Sequence, residues 1–142
     1  MDLNGSVAYV TGGQSGLGAA LAATLLERGA TKVYAASRHP SPAEDPRIVP
    51  VELDVRDGEA VQRAAQQAQD VTVLVNNAGV HLNTPLLTAE MADVREEFET
   101  NALGLLTLTR APSPPCWPPT AEGRCSTCWR CPAPARECAI RR

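Results

Sequence analysis

The sequence predicts a doubly wound α/β fold, a parallel sheet of about four strands with flanking helices and an irregular C-terminal tail. Three observations predict it. Four short apolar runs alternate with segments of helical periodicity; a glycine-rich loop stands between the first run and the first helix; and the composition changes abruptly after Ala111, where the pattern stops.

The first run, Val7-Ala8-Tyr9-Val10, breaks into Thr11-Gly12-Gly13-Gln14-Ser15-Gly16-Leu17-Gly18. Leu17, Leu21, Leu25 and Arg28 then repeat at helical spacing, with Ala20 and Thr24 beside them, and Gly29 stands where a helix ends in left-handed backbone. Val33-Tyr34-Ala35-Ala36 is a second strand, and the prolines from Pro40 to Pro46 make the next stretch a loop. The third strand, Ile48 to Leu53, contains Pro50, which lacks an amide donor and so marks an edge.

Asp57 is a suitable N-cap for a helix with Val61, Ala64, Ala65 and Ala68 on one face. Val71-Thr72-Val73-Leu74-Val75 follows, apolar at nearly every position, as an interior parallel strand requires. A last helix from Thr88 to Arg110, capped by Thr88, places Met91, Val94, Phe98, Ala102, Leu105 and Leu106 on its inward face. Strict alternation of strand and helix dictates right-handed crossovers with helices on both faces of the sheet.

At 142 residues, with 44% hydrophobic and 20% charged positions, the length suits one soluble α/β domain. The net charge of −3 divides unevenly: residues 1–110 carry 14 acids against 8 bases, and residues 111–142 carry 2 against 5. Residues 1–110 are therefore read as the domain and residues 111–142 as a tail. No run approaches the 18 or so apolar residues of a membrane span, and Asp2 stands where a leader would be basic. The cytoplasm is the expected location, with no membrane or nucleic-acid partner.

A glycine-rich turn between strand and helix lets backbone N–H groups approach a pyrophosphate, and the helix adds the positive end of its dipole. The loop from Gly12 to Gly18 has that context, which points to a nucleotide; the alternative is a tight turn without a ligand.

Thr11-Gly12-x-x-x-Gly16-x-Gly18, Asp54-Val55, Asn76-Asn77-Ala78-Gly79 and Asn101 occur in the order and spacing of the short-chain dehydrogenase/reductase family, which the chain resembles from about Leu3 to Arg110. The resemblance implies a Rossmann-like domain that binds a nicotinamide dinucleotide and transfers a hydride between it and a small alcohol or carbonyl compound. Gly12, Gly16 and Gly18 would line the pyrophosphate with Leu17, and Ser15 would bond near the adenosine ribose or phosphate. Asp54 and the backbone of Val55 would hold the adenine amino group. Asn77, Ala78 and Gly79 would pass beneath the adenine ribose and nicotinamide side, while Asn76 would hold the end of the fourth strand. Intact members are mostly dimers or tetramers, through the helix that here begins near Ala89.

Cofactor choice is legible from charge. An acid at the end of the second strand would bond the ribose 2′-OH and repel a 2′-phosphate. Ser37-Arg38 stands there instead, and a guanidinium beside a hydroxyl suits the 2′-phosphate of NADP better than the bare ribose of NAD. The plain alternative is a solvated loop charge.

The family also pairs a tyrosine with a lysine four residues on, which lowers the phenol from about 10 toward neutrality so that it can act as a base. The only tyrosines are Tyr9 and Tyr34, with Gly13 and Arg38 four residues on, and Lys32 is the sole lysine. Asn101 alone matches the catalytic set, as the asparagine that bends its helix and anchors a water. An active enzyme is therefore not expected of this chain as written, and a non-catalytic dinucleotide-binding module is the rival reading.

The tail holds all five cysteines, both tryptophans and seven of the twelve prolines. Three readings stand. Cys125, Cys128, Cys131 and Cys138 could hold a metal, although none is assigned; the cysteines could pair as disulfides; or the tail is out of frame. The last is motivated by codon choice: GC-rich codons chosen with the family in mind for Pro112 to Trp129, read from the third base, would spell a sequence that resembles the family's helix end, glycine turn and fifth strand. A chain ending this way would bare the fourth strand beside Val73 and Val75, with Phe98, Leu105 and Leu106, and would tend to aggregate.

Overall fold

The computed structural model describes residues 2–82, 85 and 87–111. Four strands, β1 (Val7–Thr11), β2 (Lys32–Ser37), β3 (Ile48–Glu52) and β4 (Val73–Val75), form one parallel sheet in the order β3-β2-β1-β4. Helix α1 (Gly16–Glu27) connects β1 to β2, and α2 (Gly58–Gln67) connects β3 to β4. Beyond β4 come α3 (Met91–Phe98), a π-helical turn (Glu99–Gly104) and α4 (Leu105–Arg110). This is the doubly wound, Rossmann-like arrangement.

Alternation along the strands supplies both layers. Ala8, Val10 and Val33 point to one face, where Ala22 and Leu26 of α1 cover them. Tyr9, Tyr34 and Leu74 point to the other, against Val61 and Ala64 of α2 and Leu108 of α4. β3 lies at an edge, as Pro50 requires, its register partner being Ala35.

Four expectations need correction. α1 buries Gly18, Ala22 and Leu26, one residue on from the Leu17–Leu21–Leu25 line, because its first turn approaches the loop after β1 at Gly18, where a Cβ would strike the Gly12 carbonyl. β4 is three residues long, shorter than the Val71–Val75 run, and it ends the described sheet. Val71 and Thr72 lie outside it: Thr72 Oγ1 accepts from Val7 N–H at 3.0 Å, a side chain standing in for a rung of the ladder.

The last helix begins at Met91, not near Thr88, whose N–H closes a turn on Pro85 O at 2.9 Å; Glu90 holds the N-cap position. Its predicted inward line also fails, since Met91, Phe98 and Leu106 are 59%, 61% and 50% exposed. α3 buries no residue, and burial begins in the π turn, with Thr100 and Gly104, and continues at Leu108 and Ala111. Val94, Ala102 and Leu105 are half-buried.

Two ends follow local rules. Asp57 caps α2 by accepting from Glu59 N–H at 2.9 Å. α1 stops at Gly29, with φ +100°, as Gly29 N–H bonds Leu26 O and Ala30 N–H bonds Leu25 O.

Candidate functional site

The carboxyl ends of the strands carry four loops, which begin after Thr11, Ser37, Glu52 and Val75. The first two of the site's positions are fixed by one side chain. Thr11 Oγ1 accepts from the N–H groups of both Asn77 and Ala78, each at 2.8 Å, and Asn77 Nδ2 donates back to the Thr11 carbonyl at 2.9 Å. Asn77 therefore works here as a clamp between the loops after β1 and β4. Thr11 is a functional position that glycine spacing alone does not single out.

The clamp explains the glycines. Gly12 has φ +64°, and a Cβ there would stand 3.0 Å from Asn77 Nδ2 and 3.3 Å from Ala78 Cα. A Cβ on Gly18 would strike the Gly12 carbonyl, so α1 can approach the loop only with glycine at that place. Gly16 differs: its backbone is also left-handed, φ +50°, yet nothing lies within 4 Å of where a Cβ would be. Ser15 is extended, makes no side-chain cap to the helix, and leaves its exposed hydroxyl uncommitted among the described residues. The N–H groups of Gly16, Leu17 and Gly18, in the first turn of α1, have no carbonyl four residues back to bond. Open space, unbonded donors and the dipole of a 12-residue helix form a cradle for an anion.

At the end of β2, Ser37 Oγ donates to Gln14 Oε1 at 2.9 Å. Arg38 is exposed and makes no ion pair among the described residues. Beyond β3, Asp54 receives Arg56 through Nε at 3.1 Å and Nη2 at 2.8 Å, while Arg56 Nη1 reaches Glu96 of α3 at 3.0 Å. These Arg56 bonds, and more weakly the charge of Arg38, hold the Asp54 carboxyl below its ordinary value. Val55 turns its side chain inward beneath Gly104, where an added Cβ would come within 2.6 Å of it. A cleft of about 490 Å3 opens beside these residues, lined by Arg38, His39, Glu52, Asp54, Asp57 and Arg63 among others.

The loop after β4 is held from the last helix. Asn101, in the π turn, accepts from Val80 N–H and donates to Val80 O, both at 2.8 Å. Glu97 Oε1 accepts from Leu82 N–H at 2.5 Å and contacts His81 Nδ1 at 3.1 Å. Gly79 lies beneath, 3.3 Å from Asn101 Oδ1 were it to carry a Cβ. Asn76 Nδ2 donates to Thr109 Oγ1 at 3.2 Å and so ties the end of β4 to α4. The sequence-predicted residues Gly12 to Gly18, Ser37, Arg38, Asp54, Val55, Asn77 to Gly79 and Asn101 thus lie along one end of the sheet. The sequence reading missed Gln14, Arg56 and Glu97, because their partners are 15 to 40 residues away in the chain.

The tyrosines stand elsewhere. Tyr9 is buried with its hydroxyl unpartnered among the described residues, and burial pushes its phenol far up. Tyr34 OH contacts Lys32 Nζ at 2.9 Å and Asp70 Oδ1 at 2.8 Å, and Lys32 also pairs with Asp70. That trio sits where β2 begins and α2 ends, away from the loops. Neither phenol can serve a reaction beside Asn101.

A parallel sheet whose first strand leads through a glycine loop into an unsatisfied helix N-terminus defines the Rossmann-like class of dinucleotide-binding folds. The short chain dehydrogenase profile matches residues 6–124, so it runs past Ala111. A short chain dehydrogenase of Burkholderia cenocepacia, solved in complex with NADP, is 47% identical with a TM-score of 0.73, covering 78% of this chain and 48% of that one. The ketoacyl reductase HetN of Nostoc sp. is 32% identical over 76% of this chain and 42% of its own. The ligand-free aldohexose dehydrogenase of Thermoplasma acidophilum is 28% identical with a TM-score of 0.68, covering 76% of this chain and 43% of that one. The chain belongs to the short chain dehydrogenase family and spans about half the length of the relatives it matches.

Proposed function

We propose that this chain binds NADP, in preference to NAD, as the dinucleotide-binding part of a short-chain oxidoreductase acting on a small alcohol or carbonyl compound. The observation that carries the reading is the pairing of an open, donor-rich N-terminus on α1 with an exposed Arg38 that makes no ion pair among the described residues, beside Ser37 at the end of β2. The first suits a pyrophosphate. The second suits a 2′-phosphate, since a guanidinium presents several donors to an oxyanion and β2 ends in Ser37, where an acid would repel it. The NADP bound by the 47% identical Burkholderia protein supports the same choice.

In this reading the N–H groups of Gly16, Leu17 and Gly18, with Ser15 Oγ, hold the phosphates. Arg38 takes the 2′-phosphate, with Ser37 beside it bonded to Gln14; Asp54 and the Val55 backbone take the adenine, and Asn77, Ala78 and Gly79 pass beneath the adenine ribose and nicotinamide side. In an intact relative the nicotinamide, when bound, would supply or accept a hydride. Asn101 and Glu97 keep the loop from Val80 to Leu82 in place beside that chemistry. Because the sequence has no Tyr-x-x-x-Lys pair, this chain is proposed to bind without turnover. The work is assigned to the cytoplasm, and an intact relative is assigned a homo-oligomeric form.

Residues 111–142 are proposed as a tail distinct from the domain. The cysteine-metal, disulfide and frameshift readings all lie outside the described residues. Sequencing the coding DNA around codon 111 tests the last, and zinc content after purification tests the first. For the binding reading, titration of the full chain with NADPH and NADH should show saturable binding of both, tighter for NADPH. Absence of binding by folded protein would sink the assignment. Turnover of a carbonyl panel would instead overturn the non-catalytic reading.

A further inference from the structure

Gln14, the middle residue between Gly12 and Gly16, sends its side chain out of the glycine loop to the stretch beyond β2. Its Oε1 accepts from Ser37 Oγ and from Ser41 N–H, both at 2.9 Å, and its Nε2 donates to the Ser41 carbonyl at 2.7 Å. The amide thus pairs with Ser41 in both directions, as one strand residue pairs with another, and holds Ser37 as well. Among the described residues, Gln14 makes every hydrogen bond that residues 38–41 receive. Arg38, His39 and Pro40, enclosed by this bracket, are exposed.

We propose that Gln14 is a positioning residue that sets dinucleotide selectivity. By fastening Ser37 and Ser41 to the phosphate-holding loop, it fixes the backbone from which Arg38 reaches a ribose 2′-phosphate. This rests on the NADP reading above. The physical ground is pre-organisation: a guanidinium on a tethered backbone gives up less freedom on meeting its anion than one on a loose loop. Gln14 itself is neutral, so its effect falls on the ligand that needs Arg38. The unphosphorylated ribose does not.

The test uses the full 142-residue chain and its Gln14→Met variant, of similar size but without the amide. Dissociation constants for NADPH and NADH are measured together with amide exchange at Ser41. The expected result is an NADPH constant raised about tenfold, an NADH constant changed by less than about twofold, and faster exchange at Ser41. Faster exchange with an unchanged NADPH/NADH ratio, or a parallel loss of both ligands, overturns the inference and leaves the binding reading standing. Wild-type protein that binds neither ligand removes both. If Gln14→Met does not fold, Gln14→Asn, one methylene too short to span to Ser41, reads the same ratio.

Discussion

Thr11 and Asn77 exchange hydrogen bonds in both directions: the threonine hydroxyl accepts the asparagine's backbone N–H at 2.8 Å, and the asparagine's side-chain amide donates to the threonine carbonyl at 2.9 Å. The same hydroxyl also takes Ala78 N–H, so three donors from one loop converge on one residue of another. Replacing Thr11 by Val keeps the shape but leaves two largely enclosed N–H groups without a partner. Each such group costs about 1–3 kcal/mol. Thr11→Val should therefore lower the urea midpoint markedly and weaken dinucleotide binding, whereas equal stability in the two proteins would show that the clamp is incidental.

How much of this was legible beforehand follows from the range of each interaction. Asp57 caps α2, and Gly29 ends α1, through contacts within five residues of the chain, which local chemistry specifies. The parallel sheet was legible from its alternating strands and helices, and the edge position of β3 from Pro50; the strand order was not, because β2 runs to β3 through a loop with no helix between them and β4 ends the described sheet. The glycine loop was legible because Gly12 and Gly18 face constraints of backbone geometry. Legibility failed where the partner was distant. Gln14 is an ordinary polar loop residue until Ser41 is placed beside it, and Arg56 a surface charge until Glu96 arrives from α3. In the last helix a uniform periodicity cannot register the change of pitch between Glu99 and Gly104, while Met91 and Phe98, which precede it, lie on a helix that buries no residue.

Gly18 and Gly58 should respond to alanine in opposite senses. At Gly18 the new Cβ meets the Gly12 carbonyl and comes within 2.7 Å of Asn77 Nδ2, so α1 must move off the loop. Overpacking of that kind costs about 1–3 kcal/mol. Gly58, at the start of α2, has nothing within 4 Å of a Cβ and no left-handed backbone. Alanine there restricts the unfolded chain and should add about 0.4–1 kcal/mol. Thermal melts of the pair check it, and a loss at Gly58 would count against the packing described for α2.

Stability should fall in acid through two arginine-bonded carboxylates. The Arg47 bonds hold Asp45 down to about 2, and the Arg56 bonds hold Asp54 below its ordinary value. A carboxyl depressed in the fold adds stability that is complete above its unfolded value, about 4, and disappears as pH drops through the folded value. The urea midpoint should thus be flat from these groups above about pH 5 and decline between about pH 4 and 2. Both carboxylates are about a third exposed, so salt should shrink the effect. Asp54→Asn should flatten part of the decline; a slope identical to wild type would mean that the Asp54–Arg56 pair is not formed in solution.

Arg38 should decide which dinucleotide is preferred. It is exposed, lies near enough to Asp54 to depress that carboxyl, and makes no ion pair among the described residues, so its charge is available to a ligand. Charge-assisted hydrogen bonds are worth about 1.5–3 kcal/mol each, so Arg38→Ala should raise the NADPH dissociation constant about 10- to 100-fold while NADH changes little. The difference between the cofactors should narrow with rising ionic strength, because an exposed guanidinium is screened over about 10 Å at 0.1 M salt. Arg38→Asp should go further and invert the preference, since a carboxylate accepts from the ribose 2′-OH and repels a 2′-phosphate. Fluorescence titrations of the three proteins with both cofactors at two salt concentrations measure this, and a ratio indifferent to Arg38 would assign that guanidinium to the solvent alone.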